Sequence, residues 1–199
     1  MARRRRKRRQ DAFGRRARSE GYPARSVYKL EEIDRRVRLL KRGQRVLDLG
    51  AAPGSWLLYA ADVVGAEGKV VGVDLQPVRS ALPPHARFLE GDVRTLDTSA
   101  VGSFDVVLSD MAPATTGQRH VDQARSFELF TTALDVAARV LAPGGRFCGK
   151  LFQGPELEEA RAAVTKHFDT VRLIRPKATR SESIEVFLVG LGYRSSGQE

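Results

Sequence analysis

Lys150 is a lysine inside an apolar stretch, and its position needs a chemical explanation. The stretch reads FCGKLF over residues 147–152, and its other members are typical of a protein interior. A buried ammonium group is costly unless a partner compensates its charge, and lysine is among the residues least often buried. A lysine held there can hydrogen-bond a hydroxyl group and, in its neutral form, accept the hydroxyl proton as the oxygen attacks an electrophile. Lys150 is therefore the first candidate for catalysis.

Three further charged residues can complete such a site. Asp110 ends the apolar run before the one that holds Lys150, so neighbouring parallel strands would bring the two together, with Asp110 orienting the lysine. The negative charge of Asp110 also favours the charged amine, which a second lysine could counter. Lys29 is the candidate for that role, and Glu185 is the candidate for the remaining hydrogen-bond acceptor of the site. Each of these residues, taken alone, is more typical of a surface charge.

Four aspartates lie at or near the ends of predicted strands, in chain order: Asp48, Asp74, Asp92 and Asp110. Asp74 lies 24 residues after Gly50, where an acidic side chain can accept hydrogen bonds from both hydroxyls of a ribose. Asp92 is in a place suited to an adenine amino group. A single aspartate at a strand end is usually a cap or turn residue. Four in order would repel a phosphate-rich ligand and suit an adenosine that carries a cation, such as the sulfonium of S-adenosyl-L-methionine.

A turn of small residues follows the first predicted strand and opens a helix. The segment reads DLGAAPGSW over residues 48–56, and its glycines are spaced G-x-x-x-G instead of G-x-G-x-x-G. A turn between a strand and a helix is typical of a nucleotide-binding corner, where ligands bind at the carboxyl ends of the strands. The glycine spacing, and the absence of a following Gly-Lys-Ser/Thr, disfavour dinucleotides and nucleoside triphosphates.

The residues after the fourth predicted strand disfavour methylation of a base. Enzymes that methylate base amino groups typically carry an Asp or Asn, two prolines and an aromatic residue, whereas residues 109–113 read SDMAP with no aromatic after Pro113. Methylation at carbon needs a cysteine nucleophile. Cys148 lies within a strand without the flanking residues of such sites, which favours a structural role.

The three histidines have no Cys or His neighbour at ligand spacing, so no metal is expected.

Seven apolar runs rich in Val, Leu and Phe predict strands, and residues with helical periodicity lie between several of them. Strands that alternate with helices predict a parallel sheet covered on both faces. The last two strands are joined only by residues 176–183, too short for a helical crossover, so the final strand is predicted to run antiparallel. The predicted strands are residues 45–49, 69–74, 87–90, 104–110, 145–152, 170–175 and 184–191, and the helices are 26–40, 55–64, 125–141 and 155–168.

Positive charge is concentrated at the amino terminus. The chain has 34 Lys and Arg against 24 Asp and Glu, a formal net charge of +10, which makes a polyanion the expected large partner. Residues 3–9 read RRRRKRR, and residues 1–20 are predicted to form a disordered basic arm before a single domain at 21–193 and a flexible tail at 194–199. No secretory signal and no apolar window of roughly 20 residues is found, so a soluble cytoplasmic protein without a membrane span is expected.

Several motifs, in order, resemble the FtsJ/RrmJ-type ribosomal RNA 2′-O-ribose methyltransferases. They are RSVYKLEEI, VLDLGAAPGSW, SDMAP with the following TTG and VDQAR, LAPGGRFCGKLFQG and RPKATRSESIEVF, which together span most of residues 24–192. The resemblance implies an α/β, Rossmann-like methyltransferase fold with a seven-stranded, mostly parallel sheet and an antiparallel last strand. It also implies S-adenosyl-L-methionine as cofactor, and a monomeric enzyme that methylates a uridine of large-subunit ribosomal RNA in the assembled subunit.

The resemblance also assigns roles to residues. The Lys-Asp-Lys-Glu tetrad of the family falls on Lys29, Asp110, Lys150 and Glu185. Ser55 departs from the family pattern, since many members have a second glycine there. The predicted cofactor contacts are Asp48, Gly50, Ala51, Pro53, Gly54, Ser55, Trp56, Asp74, Leu75, Asp92, Val93 and Asp110.

Two other functions fit part of the pattern. A 2′-O-methyltransferase of transfer RNA or of an mRNA cap would share the tetrad, although a cap enzyme needs an aromatic pocket and the chain has only one Trp and four Tyr. A non-catalytic RNA-binding assembly factor would be expected to lack a tetrad residue or the glycine turn, whereas this chain has all four tetrad residues and the turn.

RNA is expected to contact the arm, Arg25 and residues 175–180 through its phosphates. The sequence leaves open whether Lys150 accepts the proton or only steers the hydroxyl group.

Overall fold

A computed structural model describes residues 12–180 and 182–195 of the chain. Seven strands form one sheet in the order β3-β2-β1-β4-β5-β7-β6. The strands are β1 (Arg45–Leu49), β2 (Lys69–Asp74), β3 (Ala86–Glu90), β4 (Phe104–Ser109), β5 (Leu141–Phe152), β6 (Phe168–Ile174) and β7 (Glu185–Tyr193). The helices are α1 (residues 12–19), α2 (Val27–Val37), α3 (Ser55–Val64), α4 (Thr98–Val101), α5 (Arg119–Val140) and α6 (Leu157–His167), with a 3₁₀ turn at Val93–Thr95.

The strand directions agree with the predicted α/β fold class. β1 pairs in parallel with β2 and β4, and β3 and β5 extend the sheet in parallel on either side. β7 lies between β5 and β6 and is antiparallel to both. The prediction of an antiparallel last strand is confirmed, and the link from Ile174 to Glu185 is too short for a helical crossover that would carry the chain back across the sheet.

Two elements begin several residues earlier than the apolar pattern predicts. α5 begins at Arg119 instead of position 125, because its first turns bury Asp122 and Gln123, polar side chains that an apolar pattern overlooks. β5 begins at Leu141 instead of position 145, because Leu141 pairs with Phe104 ahead of a register shift in the β4–β5 ladder. Both differences come from contacts with distant segments.

Apolar side chains fill both faces of the sheet. One cluster packs α5 and α6 against one face, and a second cluster packs α2 and α3 against the other. Along β5, Phe147 and Leu151 belong to the first cluster and Cys148 belongs to the second. Successive residues of a strand point to opposite faces, so Lys150 points to the same side as Cys148, toward α2 and α3.

α1 packs against the domain. Ala17 is buried in a small cluster with Val27, Tyr28 and Ala178, and the ring of Phe13 lies 5.5 Å from that of Tyr28. The structure differs here from the prediction of a disordered arm over residues 1–20, because two apolar residues in a highly charged stretch find partners that the charge pattern does not indicate. The arginine-rich residues 3–9 lie outside the described residues.

Candidate active site

The four predicted catalytic residues lie on one face of the sheet at its carboxyl rim. Asp110 follows β4, and Lys150 lies near the end of the neighbouring strand β5. β7 places Phe187 opposite Lys150, and Glu185 lies two residues from Phe187 on the same face. α2 covers this face and brings Lys29 to Glu185. Residues from four separate elements are thus brought together.

Lys150 is held by Asp110 through two different atoms. The lysine is only 6% exposed, and its Nζ donates a hydrogen bond of 2.5 Å to the backbone oxygen of Asp110. The same Nζ lies 3.1 Å from Asp110 Oδ1 as an ion pair. Oδ1 is buried and accepts no hydrogen bond, so this second contact is one of charge and not of hydrogen-bond geometry. An ammonium group has three N–H donors, so Lys150 keeps the capacity to bind a hydroxyl group.

Lys29 and Glu185 form the second ion pair of the site. Lys29 Nζ lies 2.7 Å from Glu185 Oε1, and the side chains are 13% and 10% exposed. The sequence hypothesis used the charge of Lys29 to favour a neutral Lys150. In the structure the carboxylate of Glu185 lies beside that charge and offsets part of it. The tetrad is therefore two neighbouring ion pairs.

A cleft opens over the second ion pair. It has a volume of about 690 Å³, and Lys29 and Glu185 both line it. We call it the Arg25 cleft, after the residue from the loop before α2 that lines its wall. The other lining residues include Ser26, Arg180 and Ser183. The cleft thus combines the acid–base residues with two arginines.

A second cavity, which we call the strand-end pocket, lies at the carboxyl ends of β1, β2 and β4. Its volume is about 440 Å³, within the usual range for small-molecule sites. Asp110 lines this pocket and also pairs with Lys150, so the two parts of the site meet at Asp110. Six of the predicted cofactor contacts line it, namely Gly50, Asp74, Leu75, Asp92, Val93 and Asp110. Sequence reasoning missed Ala52, Gly91, Arg94, Met111, Ala112, Leu129 and Thr132.

Asp74 keeps acceptor capacity toward the strand-end pocket. Its Oδ2 accepts a hydrogen bond of 2.9 Å from the amide of Ala52, and its Oδ1 accepts one of 2.8 Å from the amide of Gln76. A carboxylate oxygen can accept two hydrogen bonds, so each oxygen has one place left. Two backbone amides thus fix the carboxylate, which can still bind two hydroxyl groups.

Unlike Asp74, Asp92 already accepts hydrogen bonds from Arg94 at both carboxylate oxygens. Its Oδ1 accepts from the backbone amide and Nε of Arg94 at 2.9 and 3.0 Å, and its Oδ2 accepts from Nε and Nη2 at 3.0 and 2.5 Å. These hydrogen bonds from Arg94 lower the pKa of Asp92. An adenine amino group could bind this carboxylate only if Arg94 gave up a bond. The sequence offered one signal for this arrangement, the arginine two residues after the aspartate.

Asp48, which was predicted to contact the cofactor, does not line the strand-end pocket. Its position is still within the paired part of β1, opposite Gly72 and Leu108, so its side chain is fully buried. Neither carboxylate oxygen has a hydrogen-bond partner. Burial, followed by the charges of Asp110 and Asp74, raises the pKa of Asp48 well above its usual value.

The glycine turn is shaped by close contacts. Gly50 has φ +77°, and a Cβ there would lie 2.5 Å from Cγ of Met111, so only glycine lets the turn approach the loop after β4. Gly54 has φ +112° and is the N-cap of α3. Ala51, Pro53 and Gly54 were predicted to contact the cofactor, but they do not line the strand-end pocket.

Ser55 and Trp56 direct their side chains away from the strand-end pocket. Ser55 Oγ accepts a hydrogen bond of 2.8 Å from the amide of Ala24 and donates one of 3.0 Å to its carbonyl oxygen. Trp56 Nε1 donates a hydrogen bond of 2.9 Å to the carbonyl oxygen of Ser26, and its ring packs 5.7 Å from that of Phe187. The two side chains therefore hold the segment before α2 against α3, and the predicted cofactor contact could involve only their backbone.

Cys148 is fully buried, and burial raises the pKa of its thiol. A thiol kept protonated and away from solvent is a poor nucleophile, in agreement with the structural role inferred from the sequence.

Over residues 12–180 and 182–195, no group of three or more His, Cys, Asp or Glu could hold a metal ion. Over the same residues, no helix has the length and apolar character of a membrane span.

Two solved structures share this fold. A ribosomal RNA methyltransferase of Plasmodium falciparum superposes with a TM-score of 0.77 at 24% identity, over 86% of this chain and 98% of the other. Fibrillarin of Aeropyrum pernix, crystallised with bound S-adenosyl-L-methionine, superposes with a TM-score of 0.59 at 16% identity, over 77% of this chain and 68% of the other. These likenesses establish the Rossmann-like methyltransferase fold.

Proteins related in sequence identify the family of this chain. The FtsJ-like methyltransferase family matches residues 22–193. The ribosomal RNA large subunit methyltransferase E of Sorangium cellulosum is 55% identical over 193 residues, which cover 96% of this chain and 91% of that protein. The protein of the same name from Nitratidesulfovibrio vulgaris is 48% identical over 195 residues, with 95% and 97% coverage. The chain belongs to the FtsJ-like methyltransferase family, which confirms the resemblance seen in the sequence.

Proposed function

We propose that the protein uses S-adenosyl-L-methionine to methylate the ribose 2′-hydroxyl of a uridine in large-subunit ribosomal RNA, as a cytoplasmic monomer whose partner is the large ribosomal subunit. The observation that carries the proposal is the position of Asp110, which lines the strand-end pocket and pairs with Lys150. A methyl donor in that pocket and a hydroxyl group bound by Lys150 would meet at this residue. The tetrad supports transfer to a ribose 2′-hydroxyl, and the names of the relatives support the choice of ribosomal RNA.

The strand-end pocket suits S-adenosyl-L-methionine in charge and donor set. Asp74 has acceptor capacity for two ribose hydroxyls, and Leu75, 61% exposed, offers apolar surface to an adenine ring. The carboxylates of Asp74 and Asp110 favour a cation and disfavour phosphates. When bound, S-adenosyl-L-methionine supplies a methyl group on a positively charged sulfur, which an oxygen nucleophile can attack.

Lys150 is proposed to bind the acceptor hydroxyl, held in place by its two contacts with Asp110. Alignment of this kind accounts for most of the rate, since well-oriented reactions can gain as much as about 7–11 kcal/mol from positioning. As an oxygen–carbon bond formed, the methyl–sulfur bond would break and leave a neutral thioether, and the hydroxyl proton would pass to a base within hydrogen-bond reach. Neutral Lys150 is one such base, and Asp110 Oδ1, which accepts no hydrogen bond, is another. Lys29 and Glu185 are proposed to bind the ribose from the Arg25 cleft.

Two arginines at the cleft are proposed to bind RNA phosphates. Arg25 and Arg180 both line the Arg25 cleft, and Arg25 Nη2 donates a hydrogen bond of 2.6 Å to the carbonyl oxygen of Ala178. Burial and the nearby charge of Arg180 lower the pKa of Arg25, so a phosphate between the two would relieve their repulsion. Phosphate contacts supply affinity and little sequence information, so the site is chosen by RNA shape or by the subunit.

Product mapping tests the proposed function. The protein is incubated with labelled S-adenosyl-L-methionine and either free ribosomal RNA, intact large subunits or transfer RNA, and the labelled RNA is treated with alkali. We expect label in large-subunit RNA, at a linkage that resists alkali, because a methylated 2′ oxygen can no longer attack the neighbouring phosphate. Label on a base, or label only in transfer RNA, would contradict the proposal.

Deletion of residues 1–10 is expected to weaken RNA binding and to reduce its salt dependence. Each phosphate contact that is lost lowers the slope of log Kd against log salt by roughly 0.7–0.9. The deletion stops before Phe13 and Ala17, which pack in the domain, so the fold is preserved. Binding is measured at several salt concentrations, with deletion of residues 196–199 as the control. An unchanged slope would show that the arginine-rich residues do not contact RNA.

A further inference from the structure

The motifs TTG and VDQAR line neither the strand-end pocket nor the Arg25 cleft. TTG occupies residues 115–117 in the loop after β4, and VDQAR occupies residues 121–125 at the start of α5. The buried polar side chains of α5 are Asp122, Gln123 and Ser126. Buried polar groups are costly unless hydrogen-bonded, so the partners of these three residues indicate their purpose.

Asp122 holds the loop that follows Asp110. Its Oδ1 accepts hydrogen bonds from the amide of Thr116 at 2.8 Å and from Thr116 Oγ1 at 2.9 Å, and its Oδ2 accepts one from the amide of Gly117 at 3.2 Å. The hydrogen bond from the Thr116 amide is the main cause that lowers the pKa of Asp122. The carboxylate is therefore charged at neutral pH, and one side chain fixes the TTG turn.

Gln123 and Ser126 hold the segment that follows Lys150. Gln123 Nε2 donates a hydrogen bond of 2.6 Å to the carbonyl oxygen of Gln153, and Ser126 Oγ accepts one of 2.9 Å from the amide of Phe152. A Cβ at Gly154 would lie 2.9 Å from Cδ of Gln123, so the glycine leaves the space that Gln123 needs. The end of β5 is thus attached to the same turns of α5 as the TTG loop.

The sheet alone does not hold Asp110 and Lys150 in register. The β4–β5 pairing ends with Ser109 opposite Gly149, so both residues lie one position beyond the last pair. Past that point Lys150 still pairs with Phe187 of β7, whereas Asp110 and Lys150 are connected to each other by their own two contacts and by the bonds that both following segments make to α5. A displacement of about 1 Å at a reacting group can lower a rate roughly 100-fold.

We propose that Asp122 and Gln123 are positioning residues for methyl transfer. They attach the segments after Asp110 and Lys150 to one end of α5 and so hold these two residues at a fixed separation. The inference rests on the roles proposed above for Asp110 and Lys150. Asp122 and Gln123 line neither cavity, so they act through the residues that they hold.

Substitutions at both positions test this role. Asp122→Ala and Gln123→Ala are expected to lower kcat for label transfer to large ribosomal subunits about 10-fold or more, with the Kd for S-adenosyl-L-methionine within about threefold of wild type. Asp122→Asn is expected to retain more activity than Asp122→Ala. Its amide oxygen can accept both bonds from Thr116, whereas its NH₂ group opposes the Gly117 amide. Activity is expressed per folded protein, from circular dichroism.

Asp135→Ala and Asp135→Asn are matched controls, because Asp135 is an exposed aspartate of the same helix, and we expect them to keep wild-type kcat. A wild-type kcat in both alanine variants, or a loss explained entirely by unfolding or by weaker cofactor binding, would overturn the inference. If Asp122→Ala does not fold, Gln123→Ala and Asp122→Asn decide by the same criteria. A wild-type protein that transfers no label would instead contradict the proposed function, so the two failures are distinguishable.

Discussion

Replacement of Lys150 by alanine is expected to lower the rate of methyl transfer by roughly 100- to 10,000-fold, the range for a positioned acid–base group. The Kd for S-adenosyl-L-methionine should change little, because Lys150 does not line the strand-end pocket. The rate is measured as transfer of labelled methyl to large ribosomal subunits at saturating cofactor, and the Kd is measured by calorimetry. A Lys150→Ala variant as fast as wild type would refute the role of this lysine.

The stability of this variant must be measured alongside its rate. Lys150→Ala leaves Asp110 without its ion-pair partner, and removing one member of a buried pair costs about 3–5 kcal/mol. Thermal unfolding of the variant therefore gives the folded fraction by which the rate is divided. Lys166→Ala is the control, because Lys166 is an exposed lysine in the last turn of α6. That variant should match wild type in both rate and stability.

Lys150→Arg separates the two roles considered for the lysine. Arginine can donate hydrogen bonds to a hydroxyl group but does not act as a base in proteins. If Lys150 only steers the hydroxyl, with Asp110 Oδ1 as the proton acceptor, the arginine variant should be well above Lys150→Ala in rate. If Lys150 accepts the proton, the two variants should be similarly slow.

Replacement of Asp74 by alanine is expected to raise the Kd for S-adenosyl-L-methionine by about 100-fold or more. The reason is that each hydrogen bond to a charged group contributes about 1.5–3 kcal/mol, and Asp74 has one acceptor place left on each oxygen. Transfer at saturating cofactor should fall much less, because Asp74 is not part of the Lys150–Asp110 pair. Calorimetry and label transfer measure the two quantities.

The control for Asp74 must separate ligand binding from the shape of the turn, because Asp74 also holds the amides of Ala52 and Gln76. Asp74→Asn keeps one oxygen and should lie between wild type and Asp74→Ala in affinity. Asp169→Ala changes an exposed aspartate at the start of β6 and should bind the cofactor as wild type does. An unchanged Kd in Asp74→Ala would mean that the ribose is bound elsewhere.

Local patterns were sufficient to predict the sheet and the rim of the site. β1, β2 and α3 have the predicted bounds, since strand and helix periodicity can be read from neighbouring residues. The direction of β7 follows from the length of the link before it. The strand-end aspartates could also be identified, because the carboxyl ends of parallel strands share one edge. Asp74 and Asp110 do line the pocket at that edge, whereas Asp48 does not.

By itself, the sequence determined the order of the elements and which charged residues reach the carboxyl rim of the sheet, because both depend on periodicity and chain length. Tertiary structure alone decided that Lys29 pairs with Glu185. It also decided that Trp56 faces the segment before α2 and that α1 packs on the domain. These outcomes depend on side-chain directions and on contacts between segments far apart in the chain, which a linear pattern of residue types does not contain.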